Sequence, residues 1–244
     1  KHSVRKYLES LSQFKATLRR SWQMGKWFLS SQLAIQAQGY VTPWLTLTIA
    51  GTAATGIFTA CATTVAFANP LLYGYFNVLL PRFVLTLKKQ GAGALKRQAY
   101  LAALLLAGIM GAFSFAVFAG GDAVMRLLFP GESYSGYGEV LTVLALASLA
   151  ASVGAPASIA LAAAGLARRV AGITALTAIL YLALIATLLP GWGLLGAAYG
   201  MLAAEAIGSA GRWLAFLLAG SANAPAGQEP RPAQSQTLQE LPRC

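Results

Sequence analysis

Long stretches without a charged residue constrain this chain more than any other feature. Residues 27–81 contain 55 positions, and none of them is acidic or basic. A helix of about 20 apolar residues crosses the roughly 30 Å of bilayer hydrocarbon, so this stretch alone is long enough for two crossings. Only 10% of the chain is charged, whereas about a quarter of the residues are charged in a soluble domain. The sequence therefore predicts an all-α membrane protein.

Charged residues and turn signals divide the chain into a predicted lobe of six transmembrane helices across residues 21–219. Turns are expected near Ile49–Gly51 and at Pro190–Gly193. The predicted helices cover residues 27–49, 52–80, 99–119, 139–163, 170–189 and 194–218. Residues 1–20 are expected to form a basic amphipathic cytoplasmic helix, which suits either an anionic membrane surface or a solvated connector. Residues 220–244 are expected to form a disordered cytoplasmic tail.

The basic residues are distributed unevenly about these spans. The chain has 18 Lys and Arg residues and a net charge of +11. In the six-span arrangement all of them except Arg126 lie on one side of the membrane. Because Lys and Arg near the spans collect on the cytoplasmic side, both termini are predicted to be cytoplasmic. The basic excess is thus interpreted as a topology signal, and no nucleic-acid partner is expected.

The residues that enzymes and metal sites require are scarce. The one histidine, His2, lies in the basic amino-terminal arm, and the two cysteines, Cys61 and Cys244, do not have the spacing of metal ligands. Neither paired carboxylates nor a glycine-rich phosphate loop joined to a strand is present. We therefore expect no catalytic activity, no cofactor and no metal, which leaves transport or a structural role in the membrane.

One carboxylate, Glu205, falls near the middle of the last predicted helix. Intramembrane acids normally face the interior of a bundle or a wet cavity, so Glu205 is a candidate for proton coupling or substrate contact. Arg212 follows seven residues later on the same helical face and could neutralise it. A purely structural contact between the two side chains is the alternative. The same helix carries a face of small residues suited to close packing: Gly196, Gly200, Ala204 and Gly208.

Polar residues form stripes on the first two predicted helices. On the first helix the stripe spans an arc of about 80° and contains Gln32, Gln36, Gly39, Pro43 and Thr46. On the second it spans about 40° and contains Thr52, Thr59, Thr63, Pro70, Asn77 and Pro81. Such stripes either line a cavity or bond to a neighbouring helix.

If these stripes line a cavity, they define the candidate substrate pathway. Its residues are Lys26, Gln32, Gln36, Thr59, Thr63, Asn69, Asn77 and Arg82. Lys26 and Arg82 stand at the cytoplasmic ends of the two helices, where they could meet an anionic headgroup or simply anchor the spans. Pro43, Pro70 and Pro156 are candidate hinges because proline interrupts helical hydrogen bonding.

Residues 157–207 contain Ala164, Gly165 and Arg168, followed by LLPGWGLLGAA. They resemble the carboxyl-terminal helices of oligosaccharide flippases, the polysaccharide-biosynthesis branch of the multidrug/oligosaccharidyl-lipid/polysaccharide exporter superfamily. FANPLLYGYFNVLLPRF and MRLLFPGESY resemble two further family segments. The resemblance extends over residues 21–218 in order and spacing.

The resemblance implies one lobe, or half, of a fold with twelve to fourteen helices in two lobes. The missing amino-terminal lobe would be the partner of this chain, together with membrane lipids and possible contact with polysaccharide polymerase machinery. The implied function is the flipping of a polyprenyl-pyrophosphate-linked oligosaccharide across the bacterial inner membrane for O-antigen, capsule or exopolysaccharide synthesis. The alternatives are a cation-coupled multidrug exporter of the same superfamily and a non-transporting scaffold. Family members have cations within the cavity, and we expect none deep in these spans.

Overall fold

The computed structural model describes residues 2–129 and 136–221, except for most side chains before Gly25. Within these ranges four helices account for almost every residue. They are α1 (His2–Ala66), α2 (Asn69–Leu128), α3 (Gly138–Ala163) and α4 (Ala167–Ser221). Each contains a segment long and apolar enough to cross a membrane, so the chain is an all-α protein of the multi-pass membrane class. The predicted tail from residue 222 onwards and most side chains of the predicted connector at 1–20 lie outside the described residues.

The prediction of six separate helices is wrong: two of the four observed helices continue through the predicted turns at Gly51 and Gly193, and a third continues through the predicted connection between residues 80 and 99. Each of the three is interrupted by one non-helical glycine: Gly51 (φ 84°, ψ 178°), Gly91 (φ 82°, ψ −176°) and Gly193 (φ 60°, ψ −149°). A positive φ costs glycine little because it has no Cβ atom. One residue therefore redirects the chain while the helical turns on both sides remain intact, and no loop separates the segments.

The two halves of α4 lie against each other in opposite directions. A Cβ atom at Gly200 would come within 3.0 Å of the carbonyl carbon of Leu184, and Gly208 lies in the same way against the side chain of Thr177. Gly208 is farther along the chain from Gly193 than Gly200 is. Its neighbour Thr177 is likewise farther from Gly193 than Leu184, the neighbour of Gly200. The chain therefore reverses at Gly193. The predicted small-residue face is buried at this contact, at Gly196, Gly200, Ala204 and Gly208.

A second reversal occurs in α2 at Gly91. The hydroxyl of Thr86 donates a hydrogen bond of 2.7 Å to Oε1 of Gln98. Twelve residues of straight helix would separate these positions by about 18 Å, so the segments on either side of Gly91 must run side by side. Further along the pair, Leu72 and Met110 share one apolar cluster. The 60 residues of α2 thus form a long antiparallel helical hairpin.

The remaining elements pack around α3. The hydroxyl of Ser209 donates to the carbonyl of Ala150 at 2.5 Å, and the indole N–H of Trp213 donates to the carbonyl of Val153 at 3.0 Å. The second half of α4 therefore runs parallel to α3. Close approach is possible because Gly154 lies directly against Ser209.

Helix α1 runs beside the first half of α4 in the same direction. Near the start of both segments, the guanidinium carbon of Arg168 lies 5.4 Å from the centre of the Trp27 ring. Farther along, the side chain of Thr42 lies beside that of Tyr181. Beyond Gly51, residues 52–66 enter the main apolar core.

Buried apolar clusters occur at both ends of the bundle. The largest joins residues beside the connections at 129–137 and 190–193, among them Met125, Leu141, Leu189 and Ala197. A second lies at the opposite end, near Arg82 and Arg168, and includes Phe83, Leu161 and Phe216.

The candidate hinge prolines differ in their surroundings. Pro43 and Pro156 lie inside α1 and α3, whose helical structure continues past them. Pro70 is the second residue of α2 and follows a two-residue interruption at 67–68. Within α1, α2 and α4 the non-helical backbone falls at glycines instead, and bending at the prolines stays a prediction.

Candidate functional site

A cavity of about 620 Å³ lies between all four helices, in the half of the bundle that carries the cationic residues. This volume is in the range of sites that bind small molecules. Aromatic and aliphatic side chains form most of its wall, including Trp27, Phe28, Tyr73 and Phe76. Its polar lining residues are Ser31, Gln32, Gln38, Asn69, Asn77, Ser148, Ser152, Ser158, Thr174, Thr177, Glu205 and Arg212. The arrangement is a polar cavity with apolar walls, open beside the exposed side chains of Gln32 and Asn77.

An ion pair lies within this cavity. Nη2 of Arg212 donates a hydrogen bond of 3.0 Å to Oε2 of Glu205, and the two side chains are only 13% and 18% exposed. The seven-residue spacing places both on one face of α4, and Gly208 between them leaves room for the guanidinium, which lies 3.1 Å from a Cβ built at that glycine. The pair has no net charge, so each group compensates the burial of the other.

Two other buried donors of the cavity residues have no partner. They are Nε of Arg212 and Nε2 of Gln38, and with Oγ of Ser114 they are the unpartnered buried side-chain atoms found in the described part of the chain. Buried N–H groups normally have an acceptor, since an unmade bond costs about 1–3 kcal/mol. Both atoms belong to residues that line the cavity, but they are closed off from solvent and make no hydrogen bond in the structure.

Cations surround the rim of the cavity. Trp27, which lines the cavity, has Nζ of Lys26 at 5.2 Å and the guanidinium carbon of Arg168 at 5.4 Å from its ring centre. Arg82 is exposed and follows the lining residue Pro81. Among the described residues, the only salt bridge is the one between Arg212 and Glu205, so the rim cations remain available to an anion.

The predicted pathway residues fall into three groups. Gln32, Asn69 and Asn77 line the cavity, as does Glu205, the separate candidate for proton coupling. Lys26 and Arg82 are exposed at the rim, whereas Gln36, Thr59 and Thr63 are exposed and outside the lining. The hydroxyl of Thr63 bonds to carbonyl groups of its own helix, at Thr59 and Ala60, as is common for Thr in membrane helices.

The sequence analysis missed several residues of the site. Gln38, Ser152 and Thr177 were not among the candidates, and Arg212 was assigned to the neutralisation of Glu205 without a place in a cavity. The cavity-facing side of the first helix is turned by about 80° from the predicted stripe. The sequence signal for this face was the four-residue spacing of two polar residues, Gln38 and Thr42. In the structure Thr42 is buried.

The described residues contain no group of three His, Cys, Asp or Glu side chains placed to hold a metal ion.

Near the opposite end of the bundle, Oδ1 of Asp122 accepts a hydrogen bond of 2.9 Å from the backbone N–H of Gly138. This contact ties the end of α2 to the start of α3.

Comparison of the chain with protein-family models, with curated proteins and with solved structures finds no match. The functional argument therefore depends on the residues and geometry of this chain.

Proposed function

We propose that this chain is one lobe of an exporter that flips a polyprenyl-pyrophosphate-linked oligosaccharide from the cytoplasmic to the periplasmic leaflet of the bacterial inner membrane. The observation that carries the proposal is the polar cavity with a cationic rim. It would serve the synthesis of O-antigen, capsule or exopolysaccharide by alternating access.

The chemistry of such a substrate matches the groups present. Sugars and phosphates are costly to place in hydrocarbon unless their hydrogen bonds are replaced. Amide and hydroxyl groups, such as those of Asn77, Ser152 and Thr174, suit sugar hydroxyls, whereas the rim cations suit a diphosphate. The apolar prenyl chain would stay in lipid beside the open side of the cavity.

The proposal includes six crossings of the bilayer. They are α1 to Gly51, residues 52–90, residues 92–128, α3, and the two halves of α4. The reversals at Gly91 and Gly193 support this count. A second lobe, equivalent to the other half of the family fold, would pair with this one. Alternating access would then occur by rocking of one lobe against the other.

A cation-coupled multidrug exporter is the second candidate, because Glu205 and four aromatic residues share the cavity. The ion pair weakens this candidate, since Arg212 already neutralises the carboxylate that would bind a cation. A non-transporting scaffold for polysaccharide assembly would not need a polar cavity.

Translocation of a labelled lipid-linked oligosaccharide tests the proposal directly. The full-length protein is reconstituted in proteoliposomes, and the probe that reaches the opposite leaflet is measured with a membrane-impermeant glycosidase. Wild type should transfer the probe, and Asn77→Leu and Thr174→Val should slow transfer about 10-fold, as each removes a hydrogen-bonding group from the cavity.

Thr187→Val is the matched control for Thr174→Val. Thr187 lies in the same half of α4, is exposed, and bonds only to carbonyl groups of its own helix. Its replacement should leave transfer unchanged. Transport of hydrophobic cations in place of the oligosaccharide would favour the second candidate, and transport of neither probe would favour the scaffold.

A further inference from the structure

Two cations from different helices converge on one tryptophan at the mouth of the cavity. Nζ of Lys26 on α1 lies 5.2 Å from the centre of the Trp27 ring, and the guanidinium carbon of Arg168 on α4 lies 5.4 Å from the same centre. Trp27 lines the cavity, and so does Ala167, the residue before Arg168. Because both distances end at one ring, the two charges belong to one site.

This site carries positive charge without a counter-ion. Lys26 and Arg168 are exposed, and neither has an acidic partner among the described residues. Each cation is attracted to the indole ring, but the two cations repel each other, and an anion beside them removes that repulsion. The arrangement therefore fits a ligand with negative charge.

The cavity wall next to this site is apolar and reaches the outer surface of the bundle. Phe28 and Ile35 line the cavity, yet their side chains are 60% and 46% exposed. Their seven-residue spacing places them on one face of α1, along about 10 Å of helix that leads away from Lys26 into the apolar span. Hydrocarbon packs against such a surface, whereas a hydrated phosphate ion does not. Charge and apolar wall together match the two parts of an anionic phospholipid.

We infer that an anionic phospholipid of the cytoplasmic leaflet occupies the cavity mouth, with its phosphate at Lys26 and Arg168 and one acyl chain along Phe28 and Ile35. Basic pockets between membrane helices on the cytoplasmic side bind such headgroups in general. The consequence for transport rests on the proposed function: the diphosphate of an arriving substrate must displace this phospholipid, which thereby regulates access to the cavity.

Brominated lipids quench tryptophan fluorescence on contact, so they report which lipid lies beside Trp27. The full-length protein is placed in phosphatidylcholine nanodiscs that contain an equal small fraction of brominated phosphatidylglycerol or brominated phosphatidylcholine. The part of the quenching that is lost in Trp27→Phe belongs to this site. In wild type it should show a preference of about 10-fold for phosphatidylglycerol, because each cation near a membrane surface contributes about fivefold before solvent screening.

Lys26→Gln and Arg168→Gln each remove one of the two charges. Each should lower the preference for phosphatidylglycerol about threefold to fivefold and leave quenching by phosphatidylcholine unchanged. Lys88→Gln is the matched control, since Lys88 is an exposed cation near the tip of the α2 hairpin and does not line the cavity. An equal loss in Lys88→Gln would mean that the whole basic surface attracts the lipid, and this would overturn the site.

Glycerol phosphate tests the need for an acyl chain, because it carries the charge of the headgroup without hydrocarbon. It should not displace brominated phosphatidylglycerol from Trp27. Displacement would overturn the assignment to a phospholipid and favour a soluble phosphate compound.

A polyprenyl diphosphate that carries an oligosaccharide separates this inference from the proposed function. It should displace the brominated phosphatidylglycerol; failure to do so would overturn the regulatory role and leave the phospholipid site standing. Equal quenching by the two phospholipids in wild type would overturn the site even if the protein flips the oligosaccharide. A preference for phosphatidylglycerol without any translocation would support the site and overturn the flippase proposal.

Discussion

The guanidinium of Arg212 is held by Glu205 through one nitrogen, Nη2, while its Nε is buried without an acceptor. The two residues lie seven positions apart on one face of α4, so the contact forms within a single helical segment. Its position in the cavity makes it both a stabilising pair and a part of the site. Removal of the carboxylate should therefore change both the stability of the fold and the charge within the cavity.

Loss of the carboxylate should destabilise the fold. In Glu205→Gln the buried charge of Arg212 lacks its counter-ion, and the removal of one partner from a fully buried pair costs about 3–5 kcal/mol. Because the side chains are 13% and 18% exposed, we expect about 2 kcal/mol, measured as the free energy of unfolding in detergent titrations. The double variant Glu205→Gln with Arg212→Gln should recover more than half of the loss. Equal stabilities of Glu205→Gln and wild type would show that the pair does not stabilise the protein.

The close contact between the halves of α4 should not tolerate a larger side chain. A Cβ atom at Gly200 would lie 3.0 Å from the carbonyl carbon of Leu184, and backbone cannot move aside as a flexible side chain can. Gly200→Val should therefore cost about 1–3 kcal/mol of unfolding free energy.

Gly108→Val provides the matched control for this change. Gly108 lies in the apolar part of α2, and no atom is within 4 Å of a Cβ built there. It should be close to neutral, because valine is not a poorer helix former than glycine. A similar cost at both sites would mean that the contact with Leu184 does not determine the effect.

Much of the fold could be predicted because a helix that crosses the bilayer needs about 20 consecutive apolar residues. The turns expected at Ile49–Gly51 and Pro190–Gly193 contain two of the glycines with non-helical backbone. The charges around residues 82–97 predict a connection between helices. The backbone there is helical on both sides of Gly91 instead, because Lys and Arg are good helix formers.

The site was less predictable than the spans. The seven-residue spacing of Glu205 and Arg212 places both on one helical face, so the ion pair between them could be predicted from the sequence. Which face of α1 meets the cavity depends on its rotation against α4, fixed by contacts such as that of Thr42 with Tyr181. Such contacts join distant parts of the chain, so a single-helix projection cannot supply them.

Disulfide cross-linking can test the reversal at Gly91. In a background with Cys61 and Cys244 replaced by Ala, the pair Thr86→Cys and Gln98→Cys should form a disulfide. The hydrogen bond between the native side chains shows that their two helical segments lie side by side, and small movements of the segments can bring the two thiols together. Loss of free thiols is measured by the shift that maleimide-polyethylene glycol causes on a gel.

The control pair has the same sequence separation without a reversal between its members. Leu104→Cys and Ala116→Cys are both exposed on the uninterrupted part of α2 and should lie about 18 Å apart. This pair should keep its free thiols. Equal oxidation of both pairs would reflect collisions between molecules, and no oxidation of the first pair would contradict the hairpin.

The side of the membrane on which each end of α2 emerges gives the last prediction. Lys88 and Arg126 are exposed and lie on the two sides of the predicted span at 99–119. If the six-crossing arrangement holds, Arg126→Cys should react with a membrane-impermeant thiol reagent in intact spheroplasts, and Lys88→Cys only after the membrane is opened. The same Cys61→Ala, Cys244→Ala background removes competing thiols. Labelling of both positions from one side would remove a crossing from α2. If both are labelled from outside, the cationic rim of the cavity would also lie on the wrong face for a substrate made in the cytoplasm.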